Sequence, residues 1–100
     1  MFMETTTFDN EKAEAVEKAV CEIFGCTIYD IVCFGNTLFK KVVVFLLTKL
    51  YSFNKRNIGL KYQITYLYVP TVVDEVEYMI KVVPGFNDKI ENIYEKMDRI

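Results

Sequence analysis

The side chains best suited to chemistry are six cations in a stretch that holds no acid. Lys40, Lys41, Lys49, Lys55, Arg56 and Lys61 fall within residues 31–61 and give them a balance of +6. Residues 1–30 carry seven acids against two lysines, and residues 62–100 carry seven acids against four bases. The net charge of −2 therefore conceals a segregated pattern. Cations gathered in this way attract anions, phosphate among them. The competing outcome is internal: acidic terminal helices dock on the basic middle and neutralise it.

Other chemistry has less support. The chain contains no histidine, so a general base near neutral pH would need a perturbed carboxylate, lysine or cysteine. There is no glycine-rich phosphate loop, and Glu91 and Glu95, four residues apart, are what any polar helix face supplies. Cys21, Cys26 and Cys33 form no C-x-x-C pair and have no histidine to complete a metal set. Each sits beside apolar neighbours, which suits reduced thiols packed in the core of a cytoplasmic protein. No catalysis, metal or cofactor is expected. Met1 to Thr7 lacks the basic and apolar regions of a signal peptide. The longest apolar run, Val42 to Leu47, is far too short to span a bilayer, so no membrane partner is expected either.

The elements that must position these cations read as helices. The chain has 100 residues and 52 % apolar content, enough for one domain over residues 1–100 with its core over about 10–98. Asp9 or Asn10 can cap a first helix whose Ala15, Val16, Ala19, Val20, Ile23 and Phe24 repeat at three and four. Gly25 ends it. Thr27 and Asp30 have capping-box spacing for a short second helix, with Ile28, Ile31 and Val32 facing inward. Asn36 or Thr37 can cap Leu38 to Leu50, a central helix that buries Leu38, Val42, Phe45 and Leu46. Its three consecutive valines also suit a buried strand. Asn54 caps a short helix with Lys55 and Arg56 in its first turn. Gln63 to Val69 alternates bulky and polar residues and, taken alone, is the best strand candidate. Pro70 suits the first turn of the next helix, Val83-Pro84-Gly85 breaks the chain, and Asn87 can cap a last helix marked by Ile90, Ile93, Tyr94 and Met97.

Laid out in this order, the chain resembles the C-terminal DNA-binding domain of DnaA, the bacterial chromosomal replication initiator. Ala19 to Ile31 is similar to that family's opening helix, glycine turn and short second helix. Lys40 to Leu50 resembles its long central helix. Ile58-Gly59 falls where the first helix of its helix-turn-helix has Ile-Gly, and Thr71-Val72-Val73 matches the Thr-Val-Leu of its recognition helix after an insertion of about two residues. The resemblance covers roughly residues 10–98. It implies an all-α, multi-helix fold containing a helix-turn-helix, and it favours helix for both ambiguous segments.

The family's signature is altered at the residues that read DNA. Its Arg-Asp-His has become Leu67-Tyr68-Val69, its first Thr has become Pro70, and Thr71 alone remains of the polar contacts. Asp74, Glu75 and Glu77 crowd the helix that would enter the groove, and it offers no Arg, Lys, Asn or Gln near its start for base edges. By the resemblance, Lys40, Lys41, Lys55, Arg56, Lys61 and Thr71 are the candidates for contacting duplex DNA, chiefly through its backbone. The expected function is a DNA-binding accessory protein with weak or no sequence readout of its own. The alternative is a protein–protein interaction module, or a self-associating one, that kept the fold and presents Tyr66, Leu67, Tyr68 and Val69.

Overall fold

The computed structural model describes residues 8–98; Met1 to Thr7, with the signal-peptide reading made on them, lie outside the described residues, as do Arg99 and Ile100. The described residues form six α-helices and one turn of 3-10 helix, without a strand. The first four helices each start at a side chain that satisfies free backbone N–H groups. The Asp9 carboxylate accepts from the N–H of Glu11 at 2.9 Å and opens α1 (Asn10–Phe24). Gly25 ends α1 at φ 72°, a left-handed conformation that a Cβ would oppose. Thr27 and Asp30 exchange side-chain-to-backbone bonds of 2.9 and 3.3 Å and start α2 (Ile28–Val32). Thr37 caps α3 (Leu38–Tyr51), and Asn54 caps α4 (Lys55–Tyr62) through a 2.8 Å bond from the N–H of Arg56. Pro70 stands in the first turn of α5 (Val69–Val82), and α6 (Phe86–Asp98) closes the described chain.

The hydropathy pattern sets the layout. Val42 to Leu47 are all buried, so α3 is enclosed on every side and is the central element. It packs against α1, α2, α4 and α5, while α6 closes against α1 and α5. One continuous cluster of buried side chains joins these helices, with Val16 and Val20 from α1, Ile58 and Tyr62 from α4, Val72 and Val76 from α5, and Ile90 and Ile93 from α6.

Three local expectations need correction. Gln63 to Val69 is not a strand. Gln63 turns left-handed at φ 61° to end α4, and Tyr66–Tyr68 forms the 3-10 turn capped by Thr65. The alternation arises because this connection sends Ile64, Tyr68 and Val69 toward the core and leaves Tyr66 and Leu67 outside. Ile28 and Leu38 were expected inside but are 43 % and 38 % exposed, since Ile31, with Val32 beside it, plugs α2 into the core and α3 dips inward only from Phe39 onward. Asn87 does not cap α6. That helix begins a residue earlier, where Phe86 is buried against Phe24 with ring centroids 5.6 Å apart and the Gly85 carbonyl takes the first helical bond. The buried side of α1 carries Val16, Ala19 and Val20 as expected, with Ala13 and Glu17 beside them.

Gly59 is where α4 and the 3-10 turn meet. A Cβ there would lie 2.5 Å from the Ile64 carbonyl oxygen and 3.3 Å from the Tyr66 nitrogen. The segment that carries Tyr66 and Leu67 thus rests directly on the α4 backbone.

Candidate functional site

The fold uses most of the basic block internally. Lys40 is 1 % exposed and its ammonium donates to the carbonyl of Cys33, so it is not placed to meet a phosphate. Burial holds its pKa below the ordinary lysine value. This corrects Lys40 as a DNA contact: at the third position of α3 it turns back to satisfy the carbonyl that follows α2. Lys41 pairs with Glu75 at 3.0 Å and Lys49 with Glu77 at 2.9 Å. A hydrogen bond from Lys49 to the Glu77 carboxylate, with the attraction between the charges, raises the lysine's pKa. Glu75 and Glu77 flank Val76, the buried residue by which α5 meets the core, so the acids of this helix grip its basic neighbour. Pairs as exposed as these add little stability, but they cancel charge locally.

Lys61 is drawn to α1. Its ammonium lies 3.8 Å from Glu17 Oε2 and donates to Asn10 Oδ1 at 3.2 Å. The same Glu17 oxygen accepts a 2.6 Å bond from the hydroxyl of Tyr62. Glu17 is 4 % exposed and Tyr62 fully buried. This Glu17–Tyr62–Lys61 cluster was missed in the sequence, although its signal is there: Glu17 is an acid at the i+4 position of the face formed by Ala13, Val16 and Val20.

Burial, and then the neighbouring Glu17, push the Tyr62 phenol well above its usual pKa of 10.0. The folded protein therefore keeps a proton that the unfolded chain sheds above about pH 10, and stability falls as pH rises beyond that point. Burial also raises Cys26, to about 11, and Tyr51 and Tyr94 shift the same way, while Lys40 opposes them. The measurement is therefore a comparison: denaturant titrations between pH 8 and 11 should show a shallower alkaline loss for Tyr62→Phe than for the parent chain. Equal slopes would mean that the phenol titrates normally.

Lys55 and Arg56 remain. Both are exposed on the first turn of α4, and no ion pair engages either among the described residues. The guanidinium carbon of Arg56 lies over the ring of Tyr66, 4.1 Å from its centroid, a cation–π contact. The stacked pair forms a wall shared by two clefts. One, of about 400 Å³, lies between the end of α3 and the start of α4 and is lined by Ser52, Asn54 and Lys55 as well as the pair. The other, of about 310 Å³, is lined by Gly59, Leu60, Ile64 and Thr65 on the far side. Leu60, which lines the second cleft, is 81 % exposed, and Leu67, the residue after Tyr66, is 70 % exposed. Among the proposed interaction residues, Tyr66 and Leu67 are therefore on the surface. Tyr68 is half-buried against the core, and Val69 is fully buried, which corrects its assignment: as the first residue of α5 it packs inward. Thr71 is exposed on the first turn of α5, close to Asp74 and Glu75 around a separate shallow cleft.

The three cysteines are free and partly buried. Among the described residues no group of three Cys, Asp or Glu side chains gathers to hold a metal, and no helix is long and apolar enough to cross a membrane. Fold and site together define a small all-helical unit whose unneutralised cations are framed by exposed apolar side chains on one edge. No protein-family model and no curated protein matches the chain.

Proposed function

We propose that this chain is a protein-interaction module on a helical scaffold related to the DNA-binding domain of the bacterial replication initiator. α4, the 3-10 turn and α5 would correspond to that domain's helix-turn-helix. The observation that carries the reading is the fate of the charges. Lys40 is buried and Lys41, Lys49 and Lys61 are engaged by groups of the same chain. Arg56, Leu60 and Tyr66 meanwhile line one exposed cleft, and the exposed Leu67 follows Tyr66 in the chain. Tyr and Arg set among apolar neighbours are common anchors of protein interfaces.

A second reading, backbone contact with duplex DNA, is favoured by Lys55 and Arg56, which no acid neutralises among the described residues. Salt dependence separates the two. Two phosphate contacts give a log–log slope of only about −2, and the affinity is correspondingly weak. The interaction reading expects no binding of random duplex at about 50 mM salt. Its positive test is a photo-crosslinking residue at Leu67, with one at Glu91 on α6 as control, introduced into the chain in its own cells. A discrete protein adduct at position 67 alone is expected. DNA binding that vanishes in Lys55→Ala plus Arg56→Ala, without such an adduct, would overturn the reading in favour of the second.

A further inference from the structure

We infer that the α4 edge takes an acidic peptide segment bearing bulky apolar side chains, with a carboxylate in the Lys55–Arg56 cleft and an apolar side chain in the cleft beside Gly59 and Leu60. The inference rests on the interaction reading above and adds the chemistry of the partner. Its basis is the shared wall. Lys55 joins Arg56 on one cleft, whereas Leu60 and Ile64 join it on the other. An occupant that fills both therefore gains from an anionic group beside Lys55 and an apolar one beside Leu60 and Ile64. The stack also fixes the guanidinium, whose planar fork suits a carboxylate.

Charge complementarity selects this occupant over others. Single-stranded nucleic acid needs open aromatic faces for its bases, and Arg56 already covers a face of Tyr66. A second copy fits less well. The exposed acids of α1 and α6, such as Glu11, Glu14, Glu91 and Glu95, stand on helices that expose no large apolar side chain. On α5, the exposed Tyr78 lies between Asp74 and Lys81, whose charges cancel. An acidic partner also gains most here, because the other bases of residues 31–61 are buried or already engaged.

The probe is a displayed library of random peptides selected on the full chain, with counter-selection on Arg56→Ala. The recovered sequences should combine Asp or Glu with Leu, Ile, Phe or Trp. The best synthetic peptide should bind about tenfold more weakly to Arg56→Ala and to Leu60→Ser, both altered at exposed positions whose thermal melts stay unchanged. Its affinity should also fall with added salt. A basic or uncharged consensus, or no enrichment, overturns the inference. So does tighter binding of oligothymidylate lost in the same variants, or self-association of the free chain that those variants abolish. If the adduct at Leu67 forms while acidic peptides fail, the partner has other chemistry and the interaction reading stands. If neither forms, both fall.

Discussion

Replacing Tyr62 by Phe should lower the unfolding free energy by about 3 kcal/mol, the cost of stripping a buried charge of its closest partner. The hydroxyl bonds Glu17 Oε2 at 2.6 Å, whereas the Lys61 ammonium is 3.8 Å away and shared with Asn10. Lys61 therefore cannot replace it without moving. For a domain of this size the melting temperature should fall by roughly 12–24 °C. Glu17→Gln keeps an acceptor for the phenol and removes the buried charge, so it should cost less, and in that background the added loss from Tyr62→Phe should shrink. If Tyr62→Phe costs under about 1 kcal/mol, the carboxylate is hydrated and the cluster is not a structural pair.

Gly59→Ala carries the second large effect, and its sign is the test. Helix propensity alone would favour Ala by about 1 kcal/mol. Against this, the new methyl carbon would meet the Ile64 carbonyl oxygen at 2.5 Å, a backbone atom that cannot swing aside as a side chain does. Overpacking of this kind costs about 1–3 kcal/mol, and so close a backbone contact belongs at the upper end. A net destabilisation of about 2 kcal/mol is expected, with displacement of the 3-10 turn and weaker peptide binding. A variant as stable as the parent or more stable would show that residues 64–66 are not pressed onto α4. The control is Leu60→Ala, an exposed neighbour that should leave stability almost unchanged.

Local rules made much of the helical layout legible. Asp9, Thr27, Thr37 and Asn54 all act as caps, Gly25 takes the left-handed turn, and Pro70 falls in the first turn of α5. These signals depend on a few adjacent residues and survive whatever tertiary context surrounds them. Leu38 to Leu50 is helical because a long apolar element enclosed on every side satisfies its own backbone bonds.

What was misread depends on contacts distant in sequence. Val69 and Leu67 are similar in type and two residues apart, yet one is buried and the other exposed, because α5 begins at Val69. Lys40 resembles Lys41 until α2 and α5 are docked, when one ammonium finds a carbonyl after α2 and the other a carboxylate of α5. The candidate edge was only half visible for the same reason. Arg56, Tyr66 and Leu67 are legible there, but Leu60 was not singled out, and nothing local announces that Gly59 brings the 3-10 turn beside it. The Glu17–Tyr62 bond spans 45 positions and was beyond any local pattern.

The pairing of end segments with the middle also matters before folding. Lys49–Glu77 and Lys61–Glu17 each join the positive stretch to one of the two negative stretches. An unfolded chain with charge arranged in three blocks of alternating sign attracts itself, and the contacts it favours bring together the segments that native pairing joins. Its denatured ensemble is therefore more compact than that of a chain with the same residues shuffled, and exposes less new surface on unfolding. The attraction fades once the screening length shrinks to about 10 Å near 0.1 M salt. Ionic strength thus acts on the unfolded state of this protein as well as on its surface.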